Sequence, residues 1–284
     1  MNKKEAVKRT VREHYGKAVS GESRGRGCCG PGADCCSGAS APATVDGFGV
    51  TNYTGVELEN VPVDAAKYSF GCGNPLAFSD VQEGQTVVDI GSGAGLDTII
   101  AARRVGPAGR VIGLDMTPEM IQTARRNAAQ AGLSNVTFLQ GDAENMPLAD
   151  ETADWVISNC VINLAPDKEQ VFREVFRILK PGGRMLISDV VAENLPPQVL
   201  YSSEAWCACI AGAVSEAEYL SAVQAAGFQE VRVVSRVEID PRSAASLVGL
   251  DHGGKPEVTV QIAAEHGTRV ASIKVAARKP APRA

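Results

Sequence analysis

The sequence predicts an α/β protein: a Rossmann-like, doubly wound, mostly parallel sheet with an antiparallel edge, preceded by an N-terminal helix and a Cys/Gly-rich arm. Three observations predict it. Short apolar runs alternate with amphipathic stretches between residues 86 and 188, the rhythm of right-handed βαβ units. The first run feeds a glycine loop, Asp89-Ile90-Gly91-Ser92-Gly93-Ala94-Gly95. Acidic residues close the second run and follow the third, at Asp115 and Asp142.

Along the chain, Ala6, Val7, Val11, Tyr15, Ala18 and Val19 recur at helical spacing, so residues 3–19 read as a helix. From Ser20 to about Gly49 the composition turns to Gly, Ser, Ala and Pro with two cysteine pairs, which reads as an arm or loop. A turn-rich segment, Gly71-Cys72-Gly73-Asn74-Pro75, leads to the sheet. Strands are expected over 86–90, 111–114, 136–140, 153–158 and 184–188. Helices are expected over 96–105, 118–131 and 167–179, with Pro118 in a first turn, where a missing N–H costs little. Beyond residue 190 the rhythm changes. Residues 216–226 read as a helix ending at Gly227, and 231–239, 258–263 and 272–277 as strands, the last two pairing across His266-Gly267-Thr268. The expected division is residues 1–63 for helix and arm, 64–239 for the ligand-binding domain, and 240–284 for strands that complete the sheet or form a small extension.

With 284 residues, 44% of them hydrophobic, the chain has core enough for one such domain with additions. A net charge of −5 without a basic run excludes electrostatic capture of nucleic acid or an anionic membrane surface. The start of the chain is charged but has no apolar stretch behind it, and no apolar run is long enough to span a bilayer. The expectation is a soluble, monomeric, cytoplasmic protein whose eight cysteines sit in a reducing compartment, where chemical use outweighs a disulfide framework.

A glycine loop between strand and helix lets the backbone approach a ligand and turns helix N-terminal amides toward it. On its own it is equally a tight turn. The series of acids after it makes coincidence improbable: Asp115 stands where a side chain accepts ribose hydroxyls, and Asp142 where a base edge would lie. The spacing Gly91-x-Gly93-x-Gly95 departs from the dinucleotide fingerprint, which disfavours a dehydrogenase.

The run of Asp89 to Gly95, then Gly113-Leu114-Asp115-Met116, Gly141-Asp142-Ala143-Glu144 and Leu179-Lys180-Pro181-Gly182-Gly183 resembles class I S-adenosylmethionine-dependent methyltransferases over about residues 64–190. The resemblance implies that Asp89, Gly91, Gly93 and Gly95 face the methionyl part of the cofactor and that Asp115 holds the ribose. It implies too that Met116 packs on adenine, that Asp142 and Ala143 read its edge, and that Asn159 joins the cofactor set.

The acceptor must be read from other residues. Cys160 follows the fourth strand at the switch point, Cys207 and Cys209 follow the fifth, and Cys72 sits between two glycines. An isolated cysteine is most often a small buried hydrophobe. Thiolates converging from three segments on a methyl donor suit a soft, thiophilic centre, and the spacings match no common zinc site. As(III) is satisfied by three thiolates and keeps a nucleophilic lone pair that carries no proton, so alignment replaces a general base.

At this point the chain resembles bacterial arsenite methyltransferases over nearly all its length. The matching stretches are Tyr15-Gly16, Phe70-Gly71-Cys72-Gly73-Asn74-Pro75, Ser158-Asn159-Cys160-Val161-Ile162-Asn163-Leu164, and Cys209 with Gly212-Ala213. The resemblance implies As(III) as substrate at Cys72, Cys160 and Cys209, with Cys207 a substitute or relay. It implies arsenite or a thiol conjugate as the incoming species and thioredoxin or glutathione as reductant. For Cys28-Cys29 and Cys35-Cys36 the relatives' Cys-Cys arm implies first capture of arsenite or reduction of a disulfide left after turnover, and an inert solvated linker is an equal alternative. His14, His252 and His266 lack a partner pattern and read as structural or exposed. Two competing readings stand: C- or O-methylation of another small molecule, which would need a general base, and a non-enzymatic thiol-rich metalloid binder.

Overall fold

The computed structural model describes residues 3–20, 52–240, 243–244 and 256–281. The pairs Cys28-Cys29 and Cys35-Cys36, and His252, lie outside the described residues.

Among the described residues seven strands form one sheet: β1 (Thr86–Ile90), β2 (Arg110–Asp115), β3 (Val136–Gln140), β4 (Ala153–Asn159), β5 (Leu179–Glu193), β6 (Gln229–Glu238) and β7 (Arg269–Arg278). Their order is β3-β2-β1-β4-β5-β7-β6. The first five run parallel. β7 lies between β5 and β6, antiparallel to both. Chain order reverses between β1 and β4, and in this architecture that reversal opens a crevice beyond the strands' C-terminal ends.

Around the sheet lie α1 (Lys3–Ser20), α2 (Gly55–Leu58), α3 (Val63–Lys67), α4 (Leu96–Val105), α5 (Pro118–Gln130), α6 (Lys168–Ile178), α7 (Pro197–Leu200), α8 (Ser203–Cys207), α9 (Glu216–Ala225) and α10 (Pro256–Glu265). Because parallel strands are covered on both faces, they read as near-continuous apolar runs rather than as alternating ones. Val88, Ile90, Ile112 and Leu114 pack on one face with Phe172 and Val175 of α6 and Tyr219 of α9. Their neighbours Val87, Val111 and Ile157 pack on the other with Ile100, Ala101 and Val105 of α4. Ser215 and Glu218 close α9 with a reciprocal capping box, so Glu218 has a structural task at a solvated helix start.

Two expectations are corrected. Residues 258–263 form part of α10 and not a strand, so no hairpin crosses His266-Gly267-Thr268. The period-two pattern of Val258, Val260 and Ile262 imitates a strand. Yet β7 already has β5 and β6 on either side, and Gly267 (φ 63°) ends the helix as a left-handed residue. The fifth strand extends well past 188, since β7 pairs with it from Arg184 to Glu193.

Candidate active site

β1 delivers the chain into the glycine loop, where Gly91, Gly93 and Gly95 all take positive φ (71°, 51° and 93°). Gly91 is held by its N–H to the Leu114 carbonyl at 2.7 Å. A Cβ there would stand 2.0 Å from Val161, the residue after Cys160, so the glycine allows the loop and the β4 exit to touch. Gly93 differs: a Cβ on it would meet nothing within 4 Å, because it faces the crevice cavity. Gly95 forms the left-handed N-cap of α4 and does not line that cavity.

The cavity is an open cleft beyond the C-terminal ends of β1, β2 and β4, where this architecture binds its ligand. Asp115 ends β2 in its wall, with carboxylate oxygens accepting from Gly93 N–H (2.9 Å) and Thr117 N–H (2.8 Å). Met116, Asp142, Ala143 and Asn159 line it as well. Asp89 does not. It is buried within β1, accepts the Thr98 hydroxyl at 2.6 Å, and burial together with the charge of Asp97 lifts its carboxyl well above the usual range.

Asp97, which sequence reasoning missed, does face the cavity. Burial raises its carboxyl to about 6, partly offset by hydrogen bonds from Tyr53 Oη (2.8 Å) and Asn159 Nδ2 (3.1 Å). The Ser92 hydroxyl, also in the wall, is buried without a hydrogen-bond partner. Three wall carboxylates (Asp97, Asp115 and Asp142), an orphaned hydroxyl and an open glycine fit a ligand that carries positive charge and polar groups, as S-adenosylmethionine does.

Asn159 also staples the cysteine-bearing loop. Its Nδ2 donates to the Gly73 carbonyl at 2.7 Å and its Oδ1 accepts Gly73 N–H at 3.2 Å. Gly73 lies so close to β5 that a Cβ on it would stand 2.0 Å from Ser188 Oγ. The loop thereby carries Cys72 inside, its thiol 3.8 Å from Ser188 Oγ.

The structure brings Cys72, Cys160, Cys207 and Cys209 into one buried cluster. Cys160 ties the cluster together: the Cys209 thiol reaches its carbonyl at 2.8 Å, and its own N–H donates to Ser188, whose hydroxyl lies 3.8 Å from the Cys72 thiol. Cys160 and Cys209 sit at φ 60° and 62°, left-handed conformations that cost a non-glycine residue about 1–3 kcal/mol and persist only where surroundings enforce them. Enforcement is visible: Cys160 N–H donates to the Ser188 carbonyl at 2.8 Å, and Cys209 N–H to the Trp206 carbonyl at 3.0 Å.

Burial pushes the Cys160 thiol well above the ordinary range, with Cys209 and Cys72 adding to it. The Cys160 contact favours the Cys209 thiolate, but burial and the charges of Asp189 and Cys72 prevail and raise that thiol too. Cys160 and Cys209 are therefore neutral thiols at rest. Among the described residues no three His, Cys, Asp or Glu side chains are disposed to hold a metal ion as they stand. One reason is plain: the Cys209 thiol donates to the Cys160 carbonyl at 2.8 Å. Among the described residues no cysteine lines the cavity, yet Asn159 and Val161 on either side of Cys160 do, as does Gly71 beside Cys72.

Behind the thiols Asp189 of β5 is fully buried, accepting from Val190 N–H (3.0 Å) and Tyr219 Oη (3.2 Å). Burial raises its carboxyl to about 7, against the opposing Val190 N–H and Lys168 charge. A folded-state value above the unfolded one means the native protein holds the extra proton, so stability falls as pH rises from about 4 to about 7. Asp189→Asn is expected to raise Tm by several degrees at pH 8 and little at pH 4, measured by thermal melts at both values. Of the histidines, His14 stacks edge-on with Tyr15 and His266 is exposed.

A family model described as a methyltransferase domain matches residues 81–227. An arsenite methyltransferase of Halobacterium salinarum is 42% identical over 243 residues, 82% of this chain and 60% of that protein. One of Homo sapiens is 37% identical over 188 residues, 63% of this chain and 50% of that protein. The chain thus spans only 50% to 60% of the length of these curated relatives. The crystal structure of an arsenic(III) S-adenosylmethionine methyltransferase from Chlamydomonas reinhardtii superposes with a TM-score of 0.67 at 35% identity, over 80% of this chain and 73% of that one. With its sheet order and glycine loop, this chain belongs to the S-adenosylmethionine-dependent methyltransferases, within the arsenic(III) methyltransferase family.

Proposed function

We propose that the protein methylates As(III) held by the thiolates of Cys72, Cys160 and Cys209. The observation that carries this reading is the placement of Cys160. It is strained, it shares one buried cluster with both other thiols, and both its chain neighbours line the cofactor cavity. Neutral thiols suit a neutral acceptor. Arsenous acid exchanges three hydroxyls for three thiolates, and each thiol proton leaves with a hydroxide as water. For all three sulfurs to meet one arsenic, the Cys209 thiol turns from the Cys160 carbonyl.

When bound, S-adenosylmethionine supplies an electrophilic methyl group to the arsenic lone pair. The chain's residues do the remaining work. Asp115 takes the ribose, Met116 packs on the adenine, and Asp142 with Ala143 reads its edge. Asp97 and Asp115 provide negative potential beside a cationic ligand, and Gly93 leaves space for it. Asn159 ties the Cys72 loop to the cavity wall, so donor and acceptor share one frame. A thiol reductant of the thioredoxin or glutathione type restores arsenic and cysteines, and the protein works as a cytoplasmic monomer. Among the described residues no helix is long and apolar enough to cross a membrane.

The protein incubated with arsenite, S-adenosylmethionine and a thiol is expected to yield methylated arsenicals on chromatographic separation of arsenic species. Unchanged arsenite alongside intact cofactor binding would overturn the proposal and favour methyl transfer to another small molecule.

A further inference from the structure

One face of α1 covers both halves of the site. Lys4, Lys8, Val11 and Tyr15 recur at helical spacing. Lys4 pairs with Asp167 at 2.8 Å, and the mostly buried Lys8 pairs with both Asp142 and Glu144. Lys8, Val11 and Tyr15 then line the cofactor cavity. Gly16 follows, where a Cβ would already press on Glu119 Oε2 at 3.1 Å, so the helix end lies close against the start of α5.

Tyr15 stands at the boundary between cavity and thiols. Its hydroxyl donates to the Cys207 carbonyl at 2.9 Å, and the turn it holds carries Cys209 two residues on. Its ring meets Phe70 edge-on at 5.5 Å, and Phe70 leads directly into the Cys72 loop. One side chain therefore grips two of the three thiol-bearing segments while walling the cavity. The turn around left-handed Cys209 has its own local bonds, Cys209 N–H to the Trp206 carbonyl (3.0 Å) and Ala211 N–H to the Ala205 carbonyl (2.9 Å), and Tyr15 adds the tie to α1.

We infer that Tyr15 is a positioning residue for Cys209: by anchoring the Cys207 carbonyl to α1, its hydroxyl fixes the turn that aims the Cys209 thiol toward Cys160. The inference deepens the proposed arsenic site and rests on it for its consequence, though not for its geometry. Removing the hydroxyl alone frees the turn and leaves the ring against Phe70. Tyr15→Phe should then expose Cys209 and weaken arsenic capture without loosening the cofactor.

Ligand-free wild type and Tyr15→Phe are alkylated with iodoacetamide and each cysteine is quantified by peptide mass spectrometry. Arsenite half-saturation and S-adenosylmethionine affinity are measured alongside. Cys209 alkylation is expected to rise about tenfold and arsenite half-saturation about tenfold, the scale of one lost hydrogen bond to a buried carbonyl. Cofactor affinity stays within about threefold, since no cavity contact of the ring is removed. If Cys209 alkylation stays within about twofold of wild type, or cofactor affinity falls in parallel with arsenite binding, the inference is wrong and Tyr15 only packs the roof. Should Tyr15→Phe fail to fold, Phe70→Leu carries the test. It removes the ring contact and keeps the Tyr15 hydroxyl, so Cys209 stays protected while Cys72 alkylation rises, and an equal loss of Cys209 protection there counts against the inference. The alkylation arm contains no arsenic. Wild type that ignores arsenite would therefore overturn the proposed function while this assignment is judged on alkylation alone.

Discussion

Cys160→Ser is expected to cut arsenic methylation by at least about 10³-fold while S-adenosylmethionine affinity stays within about threefold. Serine keeps nearly the same volume and the same backbone bonds, which run from Cys160 N–H to Ser188 and from the Cys209 thiol to the Cys160 carbonyl. What changes is the donor atom. A hydroxyl is hard and stays protonated, so it does not replace a thiolate on soft As(III). Because Cys160 shares one buried cluster with Cys72 and Cys209, its loss leaves two sulfurs for a centre that takes three. Cofactor affinity is the discriminating measurement, by isothermal titration. A parallel fall would mean that Cys160 packs the wall between Asn159 and Val161 rather than binding substrate.

The sequence displayed the sheet and the donor loop because both are written locally. Apolar runs of strand length, a glycine loop, Asp115 at a strand end and Pro118 in a first turn each need only near neighbours. The site's frame is written at long range and stayed hidden. Lys8 meets Asp142 across 134 positions, Tyr15 meets Cys207 across 192, and Ser272 Oγ donates to the Cys72 carbonyl across 200. No periodicity encodes those contacts. The left-handed backbone at Cys160 and Cys209 was hidden for a related reason, since nothing in a cysteine's identity announces a strained φ. Asp89 and Asp97 show the same limit. Both flank the glycine loop, and only the folded chain shows that α4 turns Asp97 to the cavity while Thr98 takes Asp89. Where local signals compete, as in the alternating run at 258–263, the already filled sheet decides for helix.

Gly91→Ala is expected to destabilise the protein by about 2–4 kcal/mol and weaken S-adenosylmethionine binding by about 100-fold. Two costs combine. A left-handed φ of 71° costs an alanine about 1–2 kcal/mol. Its Cβ would also stand 2.0 Å from Val161 Cγ2 and 2.7 Å from Val161 Cβ. Neither side yields easily. The loop is tied by Gly91 N–H to Leu114, and Val161 follows the strained Cys160 at the end of β4. The displacement therefore spreads both into the cofactor cradle and toward the thiols. Gly93→Ala provides the contrast, because its Cβ meets no neighbour within 4 Å. It bears only the conformational cost, of order 1 kcal/mol, and places a methyl group where the ligand lies. Thermal melts should thus drop by roughly 5–15 °C for Gly91→Ala and only a few degrees for Gly93→Ala, with cofactor affinity reduced in both. Equal melts for the two variants would mean that the loop can slide past Val161. Donor and acceptor would then not share the rigid frame on which alignment of the methyl group with arsenic depends.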